Sequence, residues 1–160
     1  MAESAARYSA FLRDPGDATH TEALSIPGWQ PADWATLFAY AEPVEVLRGK
    51  VLIEKDARER ALYFVASGLL EVTSILGGMA MAAIAKVRPG SVVGELAFLD
   101  GQPRSAKVWA IADSELYRLQ FAAYETFADE HARSACDLLL ALGRVVSMRL
   151  RNTLAQRSRA

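Results

Sequence analysis

A chain of 160 residues with 52% apolar and 23% charged residues has the length and composition of one compact domain, able to bury a sizeable core without disulfide or metal support. Eighteen basic against 19 acidic residues leave a net charge of −1, so no global field recruits nucleic acid. One cysteine excludes an internal disulfide, and with only His20 and His131 beside it a zinc centre of the histidine–cysteine kind is excluded too.

Residues 3–12 form a short helical candidate, ended by the Asp14-Pro15-Gly16-Asp17 turn, and a polar link then runs to Pro27-Gly28. Residues 31–40 open on a proline, which suits a first helical turn, and place Trp34, Leu37, Phe38 and Ala41 on one face until Pro43 stops them. From Val44 the character changes to short runs rich in β-branched and aromatic residues. They hold Val44, Val46, Val51 and Ile53, then residues 62–65, 69–73, 81–87, 107–111 and 116–119. Arg48-Gly49, Ser67-Gly68, Pro89-Gly90 and Asp113-Ser114 punctuate them as turns, and Gly77-Gly78 reads as a hairpin tip. Along residues 62–65, Tyr63 and Phe64 alternate, one toward the core and the other beneath the final helices. Strands this short, without helices of 10–15 residues between them, predict a sandwich or barrel.

After Leu119 the period turns helical. Residues 121–127 form a short helix, and residues 132–156 carry a broad apolar stripe through Ala135, Leu138, Leu142, Val145 and Leu150. Gly143 lies inside it, so two helices in series stay open. Cys136, just before Leu138, Leu139 and Leu140, reads as buried packing rather than redox chemistry. From Leu138 onward there are five arginines and no acid, a pattern that also suits a helix C-terminus. The longest apolar stretch, residues 79–85, falls far short of a membrane span, and residues 1–14 do not make a secretory leader; a cytoplasmic location is expected.

Residues 88–107 carry the chemistry. Gly94-Glu95-Leu96-Ala97 can leave a strand and begin a helical turn whose free N–H groups favour an anion. Nine residues after Glu95, Arg104 can fork onto a phosphate, and Ser105 adds a hydroxyl and an amide. Glu95 is acceptor-only and so seeks hydroxyls, such as a ribose 2′-OH. Each residue also has a plainer reading. Arg104 could pair with Asp100 at the surface, and Glu95 could serve only a helix N-terminus.

Gly94, Glu95, Leu96, Ala97, Arg104, Ser105 and Ala106 match, in order and spacing, the phosphate-binding cassette of cyclic nucleotide-binding domains, and over residues 37–150 the chain resembles that family. The resemblance implies a mainly β fold, a jelly-roll-like β-roll or double-stranded β-helix, with N- and C-terminal helices packed on it. It implies that Arg104, Ser105 and Ala106 bind the cyclic phosphate and that Gly94, Glu95 and Leu96 bind the ribose. Leu70, Val72, Arg149 and Asn152 are the candidates for base contacts, although a β-roll interior needs apolar residues in any case and core is the favoured reading of Leu70 and Val72. Val93, Ser91 and Lys107 depart from the family pattern, and Lys107 stands either at the ligand's rim or in solvent.

The division expected is an N-terminal helical extension and linker over 1–30, a binding domain over 31–156 and a tail over 157–160. No catalytic constellation or metal site is legible, so the reading is a non-catalytic receptor. Its ligand would be cyclic AMP, with cyclic GMP left open by Ser105, and rearranging C-terminal helices would signal to a separate protein effector. A helix-turn-helix needs two further helices downstream, so direct nucleic acid binding is not expected. The rivals are a structural or protein-interaction domain with a degenerate site and an in-trans subunit of a channel or transcription complex. A weak homodimer through the stripe of residues 135–150 is a further expectation, opposed by Arg144, Arg149 and Arg151.

Overall fold

The computed structural model describes residues 9–12, 22–76 and 80–157. A 3-10 turn (Ser9–Phe11) and helix α1 (Pro31–Phe38) precede strands β1 (Glu42–Val46), β2 (Val51–Ile53), β3 (Ala61–Leu76), β4 (Ala80–Val87) and β5 (Val92–Val93). Helix α2 (Glu95–Asp100), strand β6 (Lys107–Gln120) and helices α3 (Phe121–Glu130) and α4 (Ala132–Arg157) follow. The strands pair antiparallel in the order β1-β6-β3-β4, with β2 added to β6 and β5 to β3. This is the expected β-roll between N- and C-terminal helices. The turns expected at 14–17 and 77–78, His20 and most of the first helical candidate lie outside the described residues.

Two expected turns are absent because they are bends inside longer strands. Ser67-Gly68 lies within β3 and Asp113-Ser114 within β6, where the ladder shifts register between Val65 and Ser67 and again between Ser67 and Leu69. Gly68 has φ +89°, and a Cβ there would lie 2.2 Å from Ser114 Oγ. Ser114 Oγ accepts from the Leu69 amide at 3.1 Å and donates to the Ala112 carbonyl at 2.8 Å. Turn-forming residues here supply a bulge that bends two paired strands together.

Alternation along β3 divides the core. Leu62 and Phe64 point toward the helices and pack with Phe38, Phe98, Phe127, Leu138 and Leu142, while Ala61, Tyr63 and Val65 face the roll interior with Val93, Val108 and Leu116. Tyr63 and Phe64 therefore divide as expected. Phe11, Leu24 and Ile26 join the helix-side core, so part of the N-terminal extension packs on the domain.

Helix α4 is continuous through Gly143. The glycine costs up to about 1 kcal/mol relative to alanine, against roughly 1.5–3 kcal/mol for each fully buried leucine such as Leu138 or Leu142. Cys136 corrects its expectation, being exposed. Ala135 and Leu138 carry the buried face at that level, and Cys136 is rotated off it by the helical period.

Candidate functional site

Strand β5 delivers the chain to Gly94, which has φ +82° and immediately precedes α2. A Cβ at Gly94 would meet Arg104 Nη1 at 2.4 Å and the Ala61 carbonyl oxygen at 2.9 Å. Backbone conformation and space both demand glycine. Glu95 opens α2 and is 7% exposed, while Arg104 on the following loop is 2% exposed.

Arg104 is positioned by loops on both sides. Its amide donates to the Ala57 carbonyl at 2.8 Å, and its carbonyl accepts from the Asp56 amide at 2.9 Å. Its Nη1 donates to the Gly94 carbonyl at 3.0 Å, and Nη2 stands 3.4 Å from Glu59 Oε2. Nε has no hydrogen-bond partner among the described residues. The partner of Arg104 is thus Glu59 and not Asp100, whose Oδ1 accepts from the Gln102 amide at 2.9 Å. Glu59 also accepts from the Tyr63 hydroxyl at 2.9 Å and pairs with Arg118, itself bonded to Glu42. Burial, and then the Glu59 charge, push the Tyr63 hydroxyl up to about 12.

These groups border a cleft of about 220 Å³. Gly94, Glu95, Leu96, Arg104, Ser105 and Ala106 line one part of it, and Val72, Arg149 and Asn152 also face it. The fold brings together nine of the expected site residues. It leaves out Leu70, which is 0% exposed in the roll core. Lys107 is not at the cleft either; with Glu71, Thr73 and Trp109 it borders a separate depression. Glu22, Ile84 and Thr153 line the cleft without having been legible as site residues. Glu22 and Glu59 sit in polar connecting segments and carry no motif. Ile84 reads only as an ordinary strand residue.

The cleft is coupled to the helices through α2. Phe98, fully buried, sets its ring 5.4 Å from Phe121 and 5.5 Å from Tyr124 of α3. Arg60 secures the far end of α2 by donating to the carbonyls of Phe98 at 3.0 Å and Leu99 at 3.2 Å, and its guanidinium carbon lies 3.3 Å from the Phe121 ring centre.

The family model for the cyclic nucleotide-binding domain matches residues 43–131, which include Glu59, Glu95 and Arg104. The Pycsar effector protein BcPycTIR of Burkholderia cepacia is 32% identical over 108 residues, covering 65% of this chain, and the chain spans about a third of that relative's length, 34%. A cyclic nucleotide-binding domain from Methylobacillus flagellatus superposes with a TM-score of 0.81 over 97% of this chain and 82% of its own, a likeness of fold at 17% identity. The catabolite activator protein of Thermus thermophilus superposes with a TM-score of 0.73 at 25% identity, covering 83% of this chain and 61% of that one.

Proposed function

The chain belongs to the cyclic nucleotide-binding domain family, and from that premise we propose that it is a cyclic AMP receptor that reports occupancy to a separate effector protein. A domain of this family is a non-catalytic cyclic-nucleotide receptor that signals through rearrangement of its helices. The observation that carries the finer reading is the placing of Glu95 and Arg104, opposite in charge and both buried, along one cleft cleared by Gly94. A sugar-phosphate presents the matching pair, hydroxyl donors beside an anion.

In this reading Arg104 holds the cyclic phosphate, with the amides and hydroxyl of Ser105 and Ala106. Glu95 takes the ribose 2′-OH, with Gly94 and Leu96 shaping the turn around it. Val72, with Ile84 and Ala85, offers an apolar wall for the base, and Asn152 offers an amide for its edge. The effector is read through α3 and α4, which Phe98 connects to the cassette. Calorimetric titration of nucleotide-free protein with cyclic AMP, GMP, CMP and UMP, beside a cyclic dinucleotide control, tests the ligand. Tightest binding of cyclic AMP is expected. Preference for another base overturns the choice of ligand, and no binding of any cyclic mononucleotide overturns the site.

A further inference from the structure

The last turns of α4 border the cleft and reach Glu95 through one side chain. Arg149 donates from Nη1 to Glu95 Oε1 at 2.7 Å and from Nη2 to the Val92 carbonyl at 2.8 Å, and its Nε lies 3.8 Å from the Glu22 carboxylate. One guanidinium thus gathers the N-terminal segment, the cassette and the C-terminal helix. The N-terminal segment is anchored beside it, since Ser91 Oγ donates to the Glu22 carbonyl at 3.0 Å and the Leu24 amide to the Gly90 carbonyl at 2.8 Å. Between Val146 and Ala155 no residue of α4 is fully buried, and the polar contacts of Arg149 add to the half-buried Val146 and Met148 in attaching this end of the helix.

Under this cover the Glu95 side chain is only 10% exposed. A sugar hydroxyl that is to donate to Glu95 Oε1 meets the guanidinium already bonded to that oxygen. A neutral hydroxyl is the weaker donor of the two, so the exchange needs help from elsewhere on the ligand. A phosphate drawn to Arg104 supplies it.

We propose that Arg149 is a built-in competitor for Glu95: a clasp that the nucleotide's sugar must open, and whose opening frees the segment around Glu22 and the end of α4 together. The proposal rests on the reading of Glu95 as the sugar-binding acid. With Arg149 in place Glu95 is paired and sheltered, and binding trades that ion pair for the sugar contact. Affinity is thereby lowered in exchange for a conformational response at both ends of the chain.

Titration of wild type, Arg149→Gln and Arg149→Lys with cyclic AMP and its 2′-deoxy analogue tests this, together with hydrogen exchange of the ligand-free proteins. Arg149→Gln is expected to bind cyclic AMP about tenfold more tightly, the scale of one lost charged hydrogen bond. The 2′-deoxy analogue, which does not need Glu95, should gain less than about threefold. Ligand-free exchange should rise in both 22–26 and 146–157. Arg149→Lys keeps the charge but cannot fork onto two acceptors, and it should fall between the other two. Unchanged or weakened cyclic AMP binding by Arg149→Gln overturns the clasp. Should that variant fail to fold, wild-type affinity in Arg149→Lys overturns it equally. If wild type binds no cyclic AMP, the cyclic AMP reading fails, yet the ligand-free exchange still decides the clasp: a rise in both segments supports it, and no rise overturns it.

Discussion

Arg104 is a buried cation whose charge is met partly by Glu59 and whose Nε is left without a bond. An anion completes such a site. Arg104→Ala is therefore expected to lower cyclic nucleotide affinity by about 30-fold to several-thousand-fold, the range for losing one member of a buried charged pair, while the protein stays folded. Calorimetry beside thermal unfolding checks both parts. Glu95→Gln should weaken cyclic AMP far more than 2′-deoxy cyclic AMP, because only the former presents the hydroxyl; equal losses would remove the ribose assignment. Glu59 touches Arg104 and Tyr63 together and acts as a positioning residue. Because the Tyr63 pKa is raised in the fold, its contribution to stability is complete below the unfolded value of 10 and is lost as pH rises toward about 12. Glu59→Gln removes the charge that is the second cause of that shift. The highest-pH phase in a phenolate absorbance titration should then move down, and affinity should fall by about threefold to tenfold as Arg104 loses the contact that positions its guanidinium. An unmoved titration would show that burial alone sets the Tyr63 value.

Element boundaries follow from what lies opposite each residue. Gly68 and Ser114 look like turn residues in their own segments, but they meet across β3 and β6 as a bulge, and two pairs of expected strands become two long ones. The alternation of Leu62, Tyr63, Phe64 and Val65 was legible because a strand's period depends only on the backbone. Helix α2 lies between the cleft and α3, with Phe98 set against Phe121 and Tyr124. Phe98→Leu keeps the site apolar but removes both ring contacts, at a cost of about 1–3 kcal/mol. Nucleotide affinity is expected to stay within about threefold of wild type, while nucleotide-dependent protection from hydrogen exchange over 121–145 shrinks. Full protection in this variant would show that the signal leaves the cassette by another route.

At the scale of the molecule, the outer side of α4 is unusually apolar for a charged chain. Leu140, Leu150 and Leu154 are each more than half exposed, and Leu139 lies beside them at 37%. Arg144 and Arg151 flank this surface and would bring like charges together across a two-fold axis. The exposed leucines favour self-association and the like charges oppose it, so a weak homodimer is expected only at high concentration. Light scattering should show the mass climbing from 17.4 kDa toward twice that value, more readily at high salt. A mass that holds at 17.4 kDa at every concentration disposes of the dimer. Among the described residues no helix is long and apolar enough to cross a membrane.

The sequence by itself determined whatever is local in the chain. A sandwich or barrel of short strands was readable from period and punctuation, and the β-roll from the chain's resemblance to a known family. The cassette was readable because Gly94, Glu95 and Arg104 lie within eleven positions and their spacing is a matter of one strand end, one helical turn and one loop. Tertiary structure alone decided what depends on distant segments meeting. Glu59 reaches Arg104 across 45 positions, and Arg149 reaches Val92 across 57. Leu70 went to the core and Cys136 to the surface because the side on which each element packs is set by its neighbours and not by its own residues. A contact within one loop is limited by a few backbone angles that residue type reports. A contact between ends of the chain exists only after the sheet and helices have packed, and before that nothing in either segment distinguishes Glu22 or Glu59 from an ordinary solvated acid.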